Sequence, residues 1–312
     1  MKKAVVVAGP TASGKSALAL ALAEQFNGVV INADSMQVYD VLRVVTARPS
    51  AEDEARAPHR LYGVLPPSEL CSVGRWREMA ARECHAAWDQ GRLPIVTGGT
   101  GLYIRSLIHG ISPIPDIPDD IRAHARTLLA EVGNERFHAM LAYRDPEMGA
   151  RLHPSNSQRL SRAWEVLEAT GRSLADWQNE PAPDLLPAEF CSLLVAPPRG
   201  ELYANCDRRF LTMMELGAQD EVRALMDLAL DPALPAMKAL GVPELAAFLR
   251  NEMSRAQAIE QAQKATRNYA KRQLTWFRHQ LDAQFTLDAQ FSERFADKIF
   301  SIVRGFLLTD PE

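Results

Sequence analysis

Short apolar runs alternate with longer stretches of helical periodicity over the first hundred residues of the chain. Residues 4–8, Ala-Val-Val-Val-Ala, form an uninterrupted β-branched run, which predicts a strand buried on both faces. The run ends at Gly9-Pro10, and apolar positions then recur at helical spacing from 14 to 26. Residues 29–33 and 94–97 repeat the apolar-run signature between polar or glycine breakers, and 73–90 carries a helical pattern between them. Such alternation predicts parallel strands joined by helical crossovers.

The pattern breaks at Ser112-Pro113-Ile114-Pro115-Asp116-Ile117-Pro118, and from 119 to about 180 only helical periodicity and turns remain. Residues 191–196 read as a returning strand before Pro197-Pro198, and the last third is mostly helical. An α/β core over 1–115 and 190–312, interrupted by a helical insertion over 116–189, is therefore expected.

Composition narrows this without redirecting it. A chain of 312 residues, 47% hydrophobic and 24% charged, has the makeup of an ordinary globular protein, which argues against disorder, collagen and coiled coil. A net charge of -4 argues against a polybasic protein, yet residues 255–279 hold six Arg or Lys against the single acid Glu260. Cys71, Cys84, Cys191 and Cys206 lie far apart with no C-x-x-C, so reduced thiols are expected in place of disulfides or zinc. Met1-Lys2-Lys3 begins like a signal peptide, but Pro10 and Lys15 end its apolar run early; no stretch of eighteen apolar residues follows, and a cytoplasmic location is expected.

Gly9-Pro10-Thr11-Ala12-Ser13-Gly14-Lys15-Ser16 fits G-x-x-x-x-G-K-[ST] at the strand-to-helix junction, so the sheet is expected to be P-loop NTPase-like. Glycines let successive N–H groups turn inward around a phosphate, the helix adds its positive end, and Lys15 adds a full charge. The Ser16 hydroxyl is suited to hold Mg2+. The loop specifies a di- or triphosphate but not its fate. A GTPase should carry N-K-x-D, and none is present. A small-molecule kinase would use Asp34 as base for an acceptor hydroxyl. The third possibility is a transferase for which diphosphate is the leaving group.

Asn32-Ala33-Asp34-Ser35-Met36-Gln37-Val38-Tyr39 and Thr97-Gly98-Gly99-Thr100-Gly101-Leu102-Tyr103 each follow a strand end. In an open parallel sheet such ends line one crevice, which brings Asp34 and Thr100 toward the phosphates. At about 100° per residue, Lys264, Arg267, Lys271 and Arg278 fall within roughly 60° of one another, opposite Ile259, Ala262, Tyr269 and Trp276. One face of this helix is expected to pack and the other to meet phosphate.

With Thr46-Ala47-Arg48-Pro49, His59, Gln158-Arg159-x-x-Arg162 and Lys271-Arg272-Gln273-x-Thr275-Trp276-x-Arg278, these motifs give an ordered set spanning nearly the whole chain. The set resembles the tRNA dimethylallyltransferases, also called tRNA isopentenyltransferases. The resemblance implies transfer of dimethylallyl from dimethylallyl diphosphate to N6 of adenosine 37, beside the anticodon. It implies that Asp34 is the general base, that Thr100 assists, and that Gly9 to Ser16 hold the diphosphate with Mg2+. For the tRNA anticodon stem-loop it implies contacts from Asp34, Ser35, Met36, Gln37, Thr100, Arg122, Gln158, Arg159, Leu160, Ser161, Arg162, Lys271, Arg272, Gln273 and Arg278.

Departures from the family pattern are Ser155-Asn156-Ser157 for Asn-Asp-Pro, Val45 for glycine, Gly241-Val242 for Gly-Tyr, and Asn205 for a common arginine. The rival within the resemblance is an adenylate dimethylallyltransferase acting on free AMP, ADP or ATP. The insertion and the basic helix argue against it. A monomer of the bacterial type, without the zinc-finger extension of eukaryotic relatives, is expected.

Overall fold

The computed structural model describes residues 1–183 and 185–309. The chain enters through β1 (Lys2–Ala8), whose Ala4 to Ala8 have no exposed surface. Next come α1 (Lys15–Gln25), β2 (Gly28–Asn32), α2 (Ala51–Arg56), β3 (His59–Arg60), α3 (Val73–Asp89), β4 (Leu93–Gly98) and α4 (Gly101–His109). Five helices follow: α5 (Asp119–Val132), α6 (Asn134–Arg144), α7 (Pro146–Arg151), α8 (Ser157–Thr170) and α9 (Leu174–Asn179). The chain then returns through β5 (Ala188–Val195), α10 (Arg199–Glu215), α11 (Ala218–Asp227), α12 (Val242–Leu249), α13 (Arg255–Gln280), β6 (Phe285–Leu287) and α14 (Ala296–Leu308).

The six strands form one sheet in the order β3-β2-β4-β1-β5-β6, parallel at every pairing. β3 and β6 escape the hydrophobic pattern because they are two and three residues long. At that length pairing with an edge, and not periodicity, defines a strand. Register fixes what lies above the sheet: Ala8 pairs with Gly98, and Asn32 with Thr97. The turns after β1, β2 and β4 therefore leave the sheet at one level, the crevice that open parallel sheets use for ligands.

The compact units are Met1–Ile108 with Leu186–Glu312, and His109–Leu185. The helical unit begins before residue 116, the boundary expected from the proline tract, because Ile114 and Ile117 pack into its core. It ends before 189 because Ala188 already opens β5. Its centre is Phe137 against Trp164, with ring centroids 5.0 Å apart, together with the buried Leu141, Leu160 and Ala163. Among the described residues no helix is long and apolar enough to cross a membrane.

Candidate active site

The loop after β1 is wound more tightly than an ordinary turn. Ala12 and Gly14 have φ of 63° and 91°, both left-handed, and Gly14 is the N-cap of α1. A Cβ on Gly9 would stand 2.7 Å from the Val195 carbonyl oxygen, so only glycine fits there. Inside the loop the Ser13 side chain is buried and its hydroxyl has no hydrogen-bond partner. Lys15 Nζ donates to the Pro10 carbonyl at 3.3 Å, and burial pushes its pKa down to about 8, with Asp34 acting in the opposite direction. An unpartnered hydroxyl and a cation short of counter-charge describe a cradle shaped for an anion.

Asp34 is held from several directions. The buried Asn32 accepts the Asp34 N–H at Oδ1, 2.8 Å, and its Nδ2 donates to the carbonyls of Asp34 and Leu61, each at 3.0 Å. The Met36 N–H donates to Asp34 Oδ1 at 2.9 Å, an Asx turn that sets the carboxylate rotamer. Oδ2 lies 3.6 Å from where a Cβ on Gly99 would stand. Thr100 joins this turn to the next: its Oγ1 accepts the Ser35 N–H at 2.9 Å, and its own N–H donates to the Ala33 carbonyl at 3.1 Å. Beneath them Trp76 donates Nε1–H to the Asn32 carbonyl at 2.9 Å and stacks on Tyr103 at 4.5 Å.

A cavity of about 330 Å³ opens between these turns, α10 and α13. Its polar lining includes Thr11, Asp34, Ser35, Arg209, Tyr269 and Arg272; Met36, Val45, Phe210, Met213 and Leu240 supply an apolar part. Arg209 reaches the Thr11 hydroxyl, while its buried Nε has no partner. Tyr269 lies beside Thr100 and Gln273, and burial, reinforced by Asp34, raises the pKa of its phenol. Sequence reading missed Arg209 and Tyr269 because both come from helices far along the chain, where no loop motif marks them. The cavity can therefore hold an anion and an apolar group, with a carboxylate beside them.

Among the described residues no cluster of three or more His, Cys, Asp or Glu forms a metal site. The donor set nevertheless suits a metal that arrives with a diphosphate. Ser16 is exposed in the first turn of α1 and its hydroxyl is the oxygen available to the metal, while the unpartnered Ser13 hydroxyl and Arg209 Nε, in or beside the same loop, are left to donate to the phosphate. Mg2+ commonly binds in this way, through one or two protein oxygens and the substrate's own phosphate oxygens.

The remaining expected contacts divide by exposure. Lys271, Arg272 and Arg278 are exposed on α13, and Gln158 and Arg159 on α8. Arg162 pairs with Glu165 at 3.7 Å, and Arg122 approaches Asp119 at 3.9 Å with Nε buried and unpartnered. Four of the expected tRNA contacts are buried or bonded within the free protein. Leu160 has no exposed surface and packs in the helical core; Ser161 is nearly buried and donates to Glu165 at 3.2 Å. Gln37 is half-buried, and its Nε2 donates to the carbonyls of Thr46 and Ala47, at 2.8 and 2.9 Å. Gln273 is buried with both amide atoms bonded to main chain. It lies about 200° round the helix from Lys271, on the packing face, so helical geometry alone could have placed it there.

The basic stripe also loses Arg267, whose guanidinium pairs with Asp207 at 2.5 Å. The departures from the family pattern are taken up locally. The Val45 N–H is accepted by Glu221, Asn205 donates to Gln290 at 2.8 Å, Ser157 exchanges hydrogen bonds with Asn134, and Val242 is buried.

Comparison with known proteins adds a lineage to this geometry. The family model described as IPP transferase matches residues 37–280, and that described as isopentenyl transferase matches residues 2–64. The tRNA dimethylallyltransferase of Paramagnetospirillum magneticum is 59% identical over 99% of this chain and 98% of its own length. The solved full-length tRNA isopentenylpyrophosphate transferase of Bacillus halodurans superposes with TM-score 0.72 at 32% identity, covering 98% of this chain and 97% of that one. A eukaryotic dimethylallyltransferase solved acting on tRNA gives TM-score 0.85 at 26% identity, covering 100% of this chain and 81% of that one.

Proposed function

The chain belongs to the IPP transferase family, whose relatives are tRNA dimethylallyltransferases, and on that footing we propose that it transfers dimethylallyl from dimethylallyl diphosphate to N6 of adenosine 37 in the tRNA anticodon stem-loop. The observation that carries this reading is a shared cavity: Thr11 of the anion loop, Asp34 and an apolar wall of Val45, Phe210, Met213 and Leu240 line one space. The wall suits an apolar allylic group carried on the diphosphate that the loop holds.

In the transfer, adenine N6 forms a bond to the allylic carbon as the carbon–oxygen bond to diphosphate breaks. The electron pair leaves with the diphosphate. Loop N–H groups, the Ser13 hydroxyl, Lys15 and Arg209 receive that growing charge in a site already arranged for it. Ser16 would hold Mg2+ brought with the diphosphate, and the ion would supply further positive charge there. The exocyclic amine is a weak nucleophile because its lone pair is delocalised into the ring. Asp34 accepts its proton as the bond forms, a contribution worth roughly 100-fold or more in rate. Thr100 keeps Asp34 in register through Ser35.

Reaching an adenine in a loop means unstacking it, at about a few kcal/mol, which phosphate contacts help offset. On α13, Lys271, Arg272 and Arg278 offer phosphate contacts; the helical unit, taken by itself, offers Gln158, Arg159, Arg162 and Arg122. A monomer in the cytoplasm accords with this role. The helical unit and the basic face of α13 favour tRNA over free AMP, ADP or ATP as acceptor.

The protein is incubated with dimethylallyl diphosphate, Mg2+ and either unmodified tRNA or AMP, and the nucleosides are resolved by mass. Prenylated adenosine at position 37 of tRNA is expected. Prenylated AMP, or ATP turnover without prenyl transfer, would overturn the reading, and full turnover by Asp34→Asn would remove Asp34 from its role.

A further inference from the structure

Gln273 joins two loops that carry opposite halves of the reaction. Its side chain is 5% exposed; Oε1 accepts the Thr11 N–H at 2.8 Å, and Nε2 donates to the Gly99 carbonyl at 2.8 Å. Thr11 lies in the anion loop, and Gly99 immediately precedes Thr100. The fit leaves no slack, because a Cβ on Gly99 would stand 2.1 Å from Nε2. One helical turn further along α13, a Cβ on Gly101 would stand 2.1 Å from Cε3 of Trp276. The two glycines are therefore sockets for two side chains on one face of that helix. An amide is costly to bury unless its atoms find partners. Here both partners are main-chain groups of loops beside the cavity.

We propose that Gln273 is a positioning residue for the transfer, fixing the distance between the loop that holds the diphosphate and the turn that presents Thr100 and, through Ser35, Asp34. The inference rests on the reaction proposed above. The allylic carbon hangs from the diphosphate on the Thr11 side, and the amine attacks from the Asp34 side. Gln273 spans the gap between these supports and does not line the cavity itself. A misplacement of about 1 Å in such an arrangement costs on the order of 100-fold in rate. Lys271, two residues earlier, is exposed and does not line this cavity, so a role in positioning and a role in tRNA contact lead to different kinetics.

Wild type is compared with Gln273→Met, which keeps the length and loses both hydrogen bonds, and with Gly99→Ala, which drives a methyl into the amide without altering α13. Single-turnover rate at saturating tRNA and donor, tRNA Kd by filter binding, and Tm are measured for each. Both variants are expected to lose roughly 10- to 100-fold in rate while tRNA Kd stays within about twofold of wild type. Gln273→Glu, which keeps the acceptor for Thr11 and has no N–H for Gly99, is expected to fall between. The proposal is overturned if Gln273→Met weakens tRNA binding in step with its activity while the saturated rate holds, or if rate and affinity both match wild type. Should Gln273→Met fail to fold, Gly99→Ala decides on the same criteria. Wild type is assayed first, and its failure to prenylate tRNA would count against the reaction itself.

Discussion

The Thr100 hydroxyl accepts the Ser35 N–H at 2.9 Å, so the turn after β4 sets the position of the residue next to Asp34. Thr100→Val keeps the shape and loses the acceptor; Thr100→Ser keeps the acceptor. The first is expected to lower the rate of dimethylallyl transfer roughly 10- to 100-fold, and the second to stay within about threefold of wild type. Steady-state kinetics on the two variants checks this, and equal rates would dismiss the link.

Lys15 carries a pH signature. Burial lowers its pKa from 10.5 to about 8 in the free protein, so its charge, and with it affinity for the donor, falls as pH rises through about 8. For stability the direction is opposite. The native state binds this proton less tightly than the unfolded chain, so the free protein gains stability between about pH 8 and 10.5. Lys15→Met is expected to abolish donor binding, to lack that gain, and to be more stable than wild type below pH 8. Melting curves and calorimetric titration with the diphosphate donor across this range read both effects.

The two kinds of basic residue on α13 should separate in a salt titration. Lys271 and Arg272 are exposed, whereas Arg267 is paired with Asp207. Replacing both Lys271 and Arg272 by Ala is expected to weaken tRNA binding and reduce the salt slope by about 1 to 2. Arg267→Ala should leave the slope unchanged. Filter binding between low and moderate salt distinguishes them, and an unaltered slope in the double variant would take that face off the tRNA surface.

Glu221 of α11 supports the cavity wall from behind. Its carboxylate accepts the N–H groups of Arg43, Val44 and Val45 at 2.6, 2.8 and 2.7 Å, just ahead of Thr46, and Val45 and Thr46 both line the cavity. Glu221→Ala leaves three main-chain donors without this partner and is expected to cost about 1 to 3 kcal/mol of stability. Urea unfolding measures the loss, and a midpoint unchanged from wild type would refute the clamp.

The hydrophobic pattern was sufficient for the central strands and for the helical interruption, because strands buried on both faces and helices with one buried face write their periods directly into the chain. Gly9 to Ser16 was equally legible, since a phosphate loop uses consecutive residues and its chemistry is local. The same holds for Asp34 and Thr100, each placed just beyond a strand end.

Tertiary structure alone decided the rest, where function is assembled from residues distant in sequence. Arg209 and Tyr269 enter the cavity from helices folded over it, and β3 and β6 exist only because a sheet edge is there to pair with. Gln273 shows the difference most clearly. Its place in a basic motif suggests a nucleic-acid contact, but α13 turns it inward, where Gly99 and Thr11 each offer one main-chain partner. A sequence displays the polarity of a side chain; which partner satisfies that polarity is settled by the packing around it.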